Sequence, residues 1–134
     1  DKALKAGFRR FRVSVIDMYP HVRERFLKAG LPLPYGPNGF SPSVEQLRAV
    51  DKMLEEIWYR APQAQIESCA EPGLQVPIKC GCISSYDLEL LGLDEPDADA
   101  AGPQRKNCMC YSGKTELLKH KAQCEHRCLY CYWH

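Results

Sequence analysis

The chain has almost no excess of charge of either sign. Its 18 Lys and Arg stand against 17 Asp and Glu, a formal net charge of +1. Nucleic acid or an anionic membrane surface as an obligatory partner therefore has no electrostatic support. No apolar run approaches the roughly 20 residues that a membrane-spanning helix needs, and no signal-peptide pattern opens the chain. Ser14, Ser84 and Ser112 lack the context of a nucleophile elbow, so hydrolase chemistry is unsupported. Internal repeats are absent too. The chain begins with Asp1 rather than Met, so a fragment or processed chain is expected.

Cysteine, by contrast, is plentiful: Cys69, Cys80, Cys82, Cys108, Cys110, Cys124, Cys128 and Cys131, eight in 134 residues. An even count can mean a disulfide framework in a secreted domain. However, apolar content of 45% supplies an ordinary core, and a chain of this size does not need covalent staples. The cysteines fall in C-x-C and C-x2-C pairs, which suit thiolates converging on a metal centre. Metal binding is the favoured reading, and a reducing, cytoplasmic compartment follows from it.

Along the chain, Lys2 to Arg10 is basic and reads as a short helix. The run Lys2, Lys5, Arg9, Arg10, Arg12 is expected to be a solvated face. Phe11 to Asp17 alternates and becomes β-branched, the pattern of a buried strand, and Tyr19 to Lys28 reads as a helix ended by Gly30. Leu31 to Pro42 holds four prolines and two glycines and must be a loop. Ser43 to Arg60 is the clearest helix, with Ser43 and Gln46 as a capping box and Leu47, Val50, Leu54, Ile57 and Trp58 at helical spacing.

Ala64 to Cys69 reads as a strand that ends on a cysteine. Tyr86 to Leu91 and Lys114 to Lys121 read as short helices, and the stretch from Leu93 to Pro103 as an acidic linker. The order predicts an α/β fold, a partial and possibly permuted TIM-barrel-like layer of parallel strands and helices, with a loop-rich, cysteine-rich carboxyl-terminal half. Residues 1–70 are the expected scaffold and 71–134 the expected iron–sulfur-binding portion. Cys69 would lie at the carboxyl end of a strand, where such folds place their sites. Asp17 and Glu71, near strand ends, are read as capping or solvated carboxylates in preference to ligands of a ribose or substrate.

The strongest local pattern is C-x3-C-x2-C: Cys124, Cys128 and Cys131, with Tyr130 just before the third. Three thiolates on a four-iron cluster leave one iron without a protein ligand, and an open iron can bind a small molecule. Tyr130 would shield the cluster and offer a surface to a planar ring. Zinc with His126 or His134 as fourth ligand is the alternative at these three cysteines. Cys69, Cys82, Cys108 and Cys110 can supply a separate four-thiolate site, either a second iron–sulfur cluster or zinc, with Cys80 able to replace one of them. His120 and His126 flank the terminal triad and are read as outer hydrogen-bond donors or exposed residues.

Cys124, Cys128, Cys131 and Tyr130 together resemble the cluster motif of the radical S-adenosylmethionine superfamily. More of the chain resembles the bacterial family called domain of unknown function 1848. Members of that family end in a C-x-C element and then C-x3-C-x2-C-Tyr, matched here by Cys108, Cys110, Cys124, Cys128, Cys131 and Tyr132. Ser68-Cys69-Ala70-Glu71 and Cys82-Ile83 resemble the family's upstream cysteine positions.

The superfamily resemblance implies a [4Fe–4S] cluster at the triad whose open iron binds S-adenosylmethionine, with reductive cleavage to a carbon radical. It also implies a reductant such as flavodoxin or ferredoxin, and a substrate that the chain does not identify. One departure is plain: the superfamily's triad lies near the start of a barrel, whereas here the strands serving it must precede it, as in a permuted barrel, or be absent, and no glycine-rich methionine-binding segment follows. The expectation is an iron–sulfur protein, of radical S-adenosylmethionine type. The alternative is a non-catalytic metal-binding module, with structural zinc or an electron-transfer cluster.

Overall fold

In a computed structural model that describes residues 2–94, 107–111 and 124–131, the chain divides into two compact units. One comprises Asp1–Ser14 and Gln46–Lys114, the other Val15–Glu45 and Thr115–His134.

The first unit is built on a three-stranded sheet: β1 (Arg10–Val13), β2 (Gln65–Ser68) and β3 (Ile78–Lys79), in that spatial order and parallel throughout. Arg10 pairs with Gln65 and Val13 with Ser68, while Glu67 pairs with Ile78 and Ser68 with Lys79. Parallel neighbours need a crossover connection, and α3 (Val44–Arg60) lies in the one between β1 and β2. The α/β character and parallel pairing agree with expectation. The barrel-like layer does not: the sheet is open, and three strands are too few to curl into closure. Strand β3 was not foreseen, and the first strand is shorter than the seven residues read for it, ending at Val13.

Strand alternation gives this sheet two unlike faces. Phe11 and Val13 of β1 and Ile66 of β2 share the apolar face, where they line a groove with Leu4, Leu54 and Ile57. Here α3 delivers its helical stripe: Leu54 is buried, Leu47 and Val50 are partly covered, and Ile57 and Trp58 remain exposed. The opposite face carries Arg10, Arg12, Gln65 and Glu67, an ionic surface rather than a solvated one. The carboxylate of Asp51 on α3 accepts the N–H groups of Gln75 and Val76 at 2.9–3.0 Å, tying the helix to the turn before β3. Leu74 fills that turn with no exposure at all.

Helix α4 (Ser85–Leu91) begins at Ser84, whose N–H and hydroxyl both donate to Asp87, at 2.9 and 2.7 Å. It ends at Gly92 in the left-handed conformation, with Leu93 N–H bonded to the Leu88 carbonyl at 2.9 Å. A four-residue helix, α1 (Lys2–Lys5), precedes β1.

In the second unit, α2 (Pro20–Lys28) starts on a proline, whose missing N–H needs no helical partner there. It stops at Gly30, φ +67°, as expected. Val22 and Met18 form the buried centre of this unit, and Met18 N–H bonds the Phe40 carbonyl at 2.7 Å. No helix among the described residues is long and apolar enough to cross a membrane. The helix expected from Lys114 to Lys121 and most of the expected linker lie outside the described residues.

Candidate metal centre

Strand β2 delivers its last side chains to the carboxyl edge of the sheet, and the chain turns sharply just after it. Cys69 occupies that turn and is buried, and Ala70 behind it has φ +56°. Among the described residues, two other non-glycine residues have positive φ: Asn107, just before Cys108, and Arg127, just before Cys128. Such bends are sparsely populated for residues with a side chain. All three adjoin a cysteine, so the backbone bends where the thiols must be aimed.

The sulfur of Cys69 stands 3.5 Å from that of Cys110 and 3.8 Å from that of Cys108. The sulfurs of Cys69, Cys82 and Cys110 lie within 4.8 Å of one another, a set able to coordinate a metal ion. Gly81 makes this approach possible. A Cβ placed there would stand 2.5 Å from the Met109 carbonyl oxygen and 2.9 Å from Cys110 Cα. Any larger residue would push the 80–82 segment off the 108–110 segment.

Packing thiols this closely makes their ionisation unequal. Burial, then the charges of Cys110 and Cys69, push the Cys82 thiol up to about 12. Burial raises Cys108 as well. Burial also opposes ionisation of Cys110, but N–H donation from Ile83 and Cys82 and the neighbouring thiols outweigh it and bring Cys110 to about 6. The Cys82 N–H to Cys110 Sγ distance is 3.0 Å. Cys110 is thus the thiol the protein's own donors favour as a thiolate, while Cys82 and Cys108 are held toward the thiol form beside it.

Cys80 stands apart from this set: burial raises its thiol, Arg12 opposes that rise and Glu67 adds to it. Both residues belong to an ionic network that the sequence reading missed. Glu67, 1% exposed, receives Arg10 through Nε at 2.7 Å and Nη2 at 3.1 Å. Arg10 Nη1 reaches Asp87 at 2.5 Å, and its guanidinium lies 4.4 Å over the Tyr86 ring. Arg12 bonds Glu67 at 3.1 Å and Asp87 at 2.8 Å, and Nη1 donates to the Cys82 carbonyl. Arg10 and Arg12 are therefore not part of a solvated helix face. The available signal was their i, i+2 spacing about Phe11, which puts both on one face of a strand. Glu71 is not a solvated carboxylate either; it is buried and accepts the Ser14 hydroxyl at 2.5 Å.

The terminal triad is arranged differently. Cys124, Cys128 and Cys131 are all half-buried, and among the described residues they form no set with sulfurs within 4.8 Å. Cys131 N–H bonds the Cys128 carbonyl at 3.1 Å, and Arg25 of α2 donates to the Cys131 carbonyl at 2.6 Å. Tyr130 is exposed, and its phenol is raised by a hydrogen bond to Cys128, by the charge of that thiol, and to a lesser degree by burial and Cys131. His126 is exposed; His120, Tyr132 and His134 lie outside the described residues.

An open parallel α/β sheet with converging thiols at its carboxyl edge defines a protein equipped to bind a metal ion. The sequence profile described as Domain of unknown function (DUF1848) matches residues 1–133, and the chain belongs to that family. No curated protein and no solved structure matches it.

Proposed function

We propose that this chain is a metal-binding module in which Cys69, Cys82, Cys108 and Cys110 hold one tetrahedral ion of the zinc type, joining the edge of the sheet to the cysteine-rich segments. The sulfur spacing carries this reading. A zinc–sulfur bond of about 2.3 Å at the tetrahedral angle separates neighbouring sulfurs by about 3.8 Å, and Cys69 stands 3.8 Å from Cys108 and 3.5 Å from Cys110. Four soft thiolates match zinc or a single iron in preference to magnesium or calcium. A cubane cluster is less well matched, because its ligands sit on separate irons and so stand wider than the edge of one tetrahedron.

Metal analysis of the purified chain tests the reading. One zinc per chain in a colourless protein, lost when the four cysteines are replaced by serine, is the expected result. Iron together with acid-labile sulfide at these four residues would sink it.

A second reading concerns the triad, and the left-handed turn at Arg127, just before Cys128, favours it. Cys124, Cys128 and Cys131 would hold a [4Fe–4S] cluster whose open iron takes S-adenosylmethionine, with Tyr130 beside it and flavodoxin or ferredoxin as reductant. That group would supply reductive cleavage of a sulfonium. The residues here would hold it and cover one side. Anaerobic reconstitution with iron and sulfide, followed by assay for 5′-deoxyadenosine, tests this. A colourless protein in which the triad takes up no iron would end it.

A further inference from the structure

The apolar face of the sheet holds an open groove of about 460 Å³, lined wholly by residues of the first unit. Phe11, Val13 and Ile66 contribute from the sheet, Leu4 from α1, and Leu54 and Ile57 from α3. Ile57 stays 44% exposed there, so the groove is not a sealed core defect. Of all the lining residues Arg60 alone is charged, and the others are apolar. Arg60 is the last residue of α3 and is exposed. Arg10 and Arg12 are committed to Glu67 and Asp87, whereas Arg60 enters no ion pair with a described residue.

Small-molecule sites are concave, mostly apolar and of about 300–1,000 Å³, with a few polar groups that fix orientation. This groove meets each condition. A peptide would suit it less well, because its amide groups would meet a single polar side chain along an apolar wall. An unpaired guanidinium presents parallel N–H donors in the plane that a carboxylate matches.

We propose that the groove binds an aliphatic monocarboxylate of medium chain length, its hydrocarbon against Phe11, Val13 and Leu54 and its carboxylate on Arg60. No thiol lines the groove. The site is therefore independent of the metal reading, and either can fail without the other.

The test is titration of the full chain with decanoate below its micelle concentration, by calorimetry and nuclear magnetic resonance, with and without zinc. The expected result is saturable one-to-one binding, with shifts concentrated at Ala61, Ala64 and Ile66 and the same affinity in both states. Octanoate, with two fewer methylenes to bury, binds about tenfold more weakly. Decanol binds more weakly than decanoate. Arg60→Gln weakens decanoate about fivefold, the upper range for an exposed ion pair, and leaves decanol unchanged. Ile57→Glu, at another exposed position, sets a negative charge in the groove and weakens decanoate as well.

No saturable binding of decanoate overturns the proposal, as do shifts that fall outside the groove. Equal affinity of the wild type for decanoate and decanol also overturns it. If Arg60→Gln lowers the thermal midpoint but keeps the preference for decanoate, Arg60 serves only the carboxyl-terminal dipole of α3, and the proposal falls.

Discussion

The two cysteine sets invert one another. Cys124, Cys128 and Cys131 fall within eight residues, yet among the described residues their sulfurs do not gather within 4.8 Å. Cys69 and Cys110 are 41 residues apart and their sulfurs stand at 3.5 Å. Short spacing gives reach, whereas convergence comes from what holds the backbone. Cys69 is placed by a strand paired on both sides, and Cys82 by an arginine and the start of a capped helix. For the triad, the backbone holds among the described residues include one side chain from α2 and one turn.

The sharpest way to break this comparison is to remove one thiol from each set. Cys69→Ser should weaken zinc binding more than about a hundredfold, since four ligands share about 10–16 kcal/mol and one share is roughly 3 kcal/mol. Cys128→Ser should leave zinc at the first set unchanged. Chelator competition on both variants gives the answer, and equal losses would erase the distinction.

Closeness of approach comes next. Gly81→Ala should destabilise the fold by about 1–3 kcal/mol, because the added methyl meets backbone rather than a yielding side chain. Urea midpoints measure this, and a wild-type midpoint would mean that the 80–82 and 108–110 segments leave room for a methyl group.

A smaller effect follows from the ionic face. Burial by itself would raise the Asp87 carboxyl, but Ser84, Arg10 and Arg12 together hold it well below the usual range. An unfolded aspartate titrates near about 3.9, so the stabilisation is complete above that pH and drains away as pH falls toward the folded value. Asp87→Asn should therefore flatten the acid limb of the stability curve and lower the plateau above it. Urea midpoints between about pH 6 and about pH 3 would show it, and an acid limb as steep as the wild type's would refute it. The smallest effect is expected at Tyr130. Tyr130→Phe should change neither zinc content nor thermal midpoint, and a loss of zinc would tie the two sets together.

Much of this was legible in the sequence. The strand read from Ala64 to Cys69 located β2 and put a cysteine at its end, and the apolar stripe of α3 gave that helix nearly to the residue. Of the cysteines expected to share a second site, Cys69, Cys82 and Cys110 bring their sulfurs within 4.8 Å of one another, and Cys108 stands 3.8 Å from Cys69. Strand β3 was not legible, because two residues, both exposed, carry no periodicity and exist as a strand only through pairing with Glu67 and Ser68. The barrel expectation failed for a related reason: the order of strands and helices indicates parallel pairing but not how many strands close. The arginines were misread because a basic run is ambiguous until the strand register opposes Arg12 to Glu67.

The stretch between Cys82 and Cys108 has one more consequence. An ion bridging Cys69 to residues 39 and 41 positions further on closes long chain segments, and the entropy of such closure grows only as the logarithm of length, about 0.6 kcal/mol for each doubling. Inserting ten residues after Leu93 should thus be nearly silent, whereas deleting Gly81 should not. Across sequences of this kind the site would drift freely in overall span while its two-residue rungs stay intact, so its relatives are better sought by the rungs than by the distance between them.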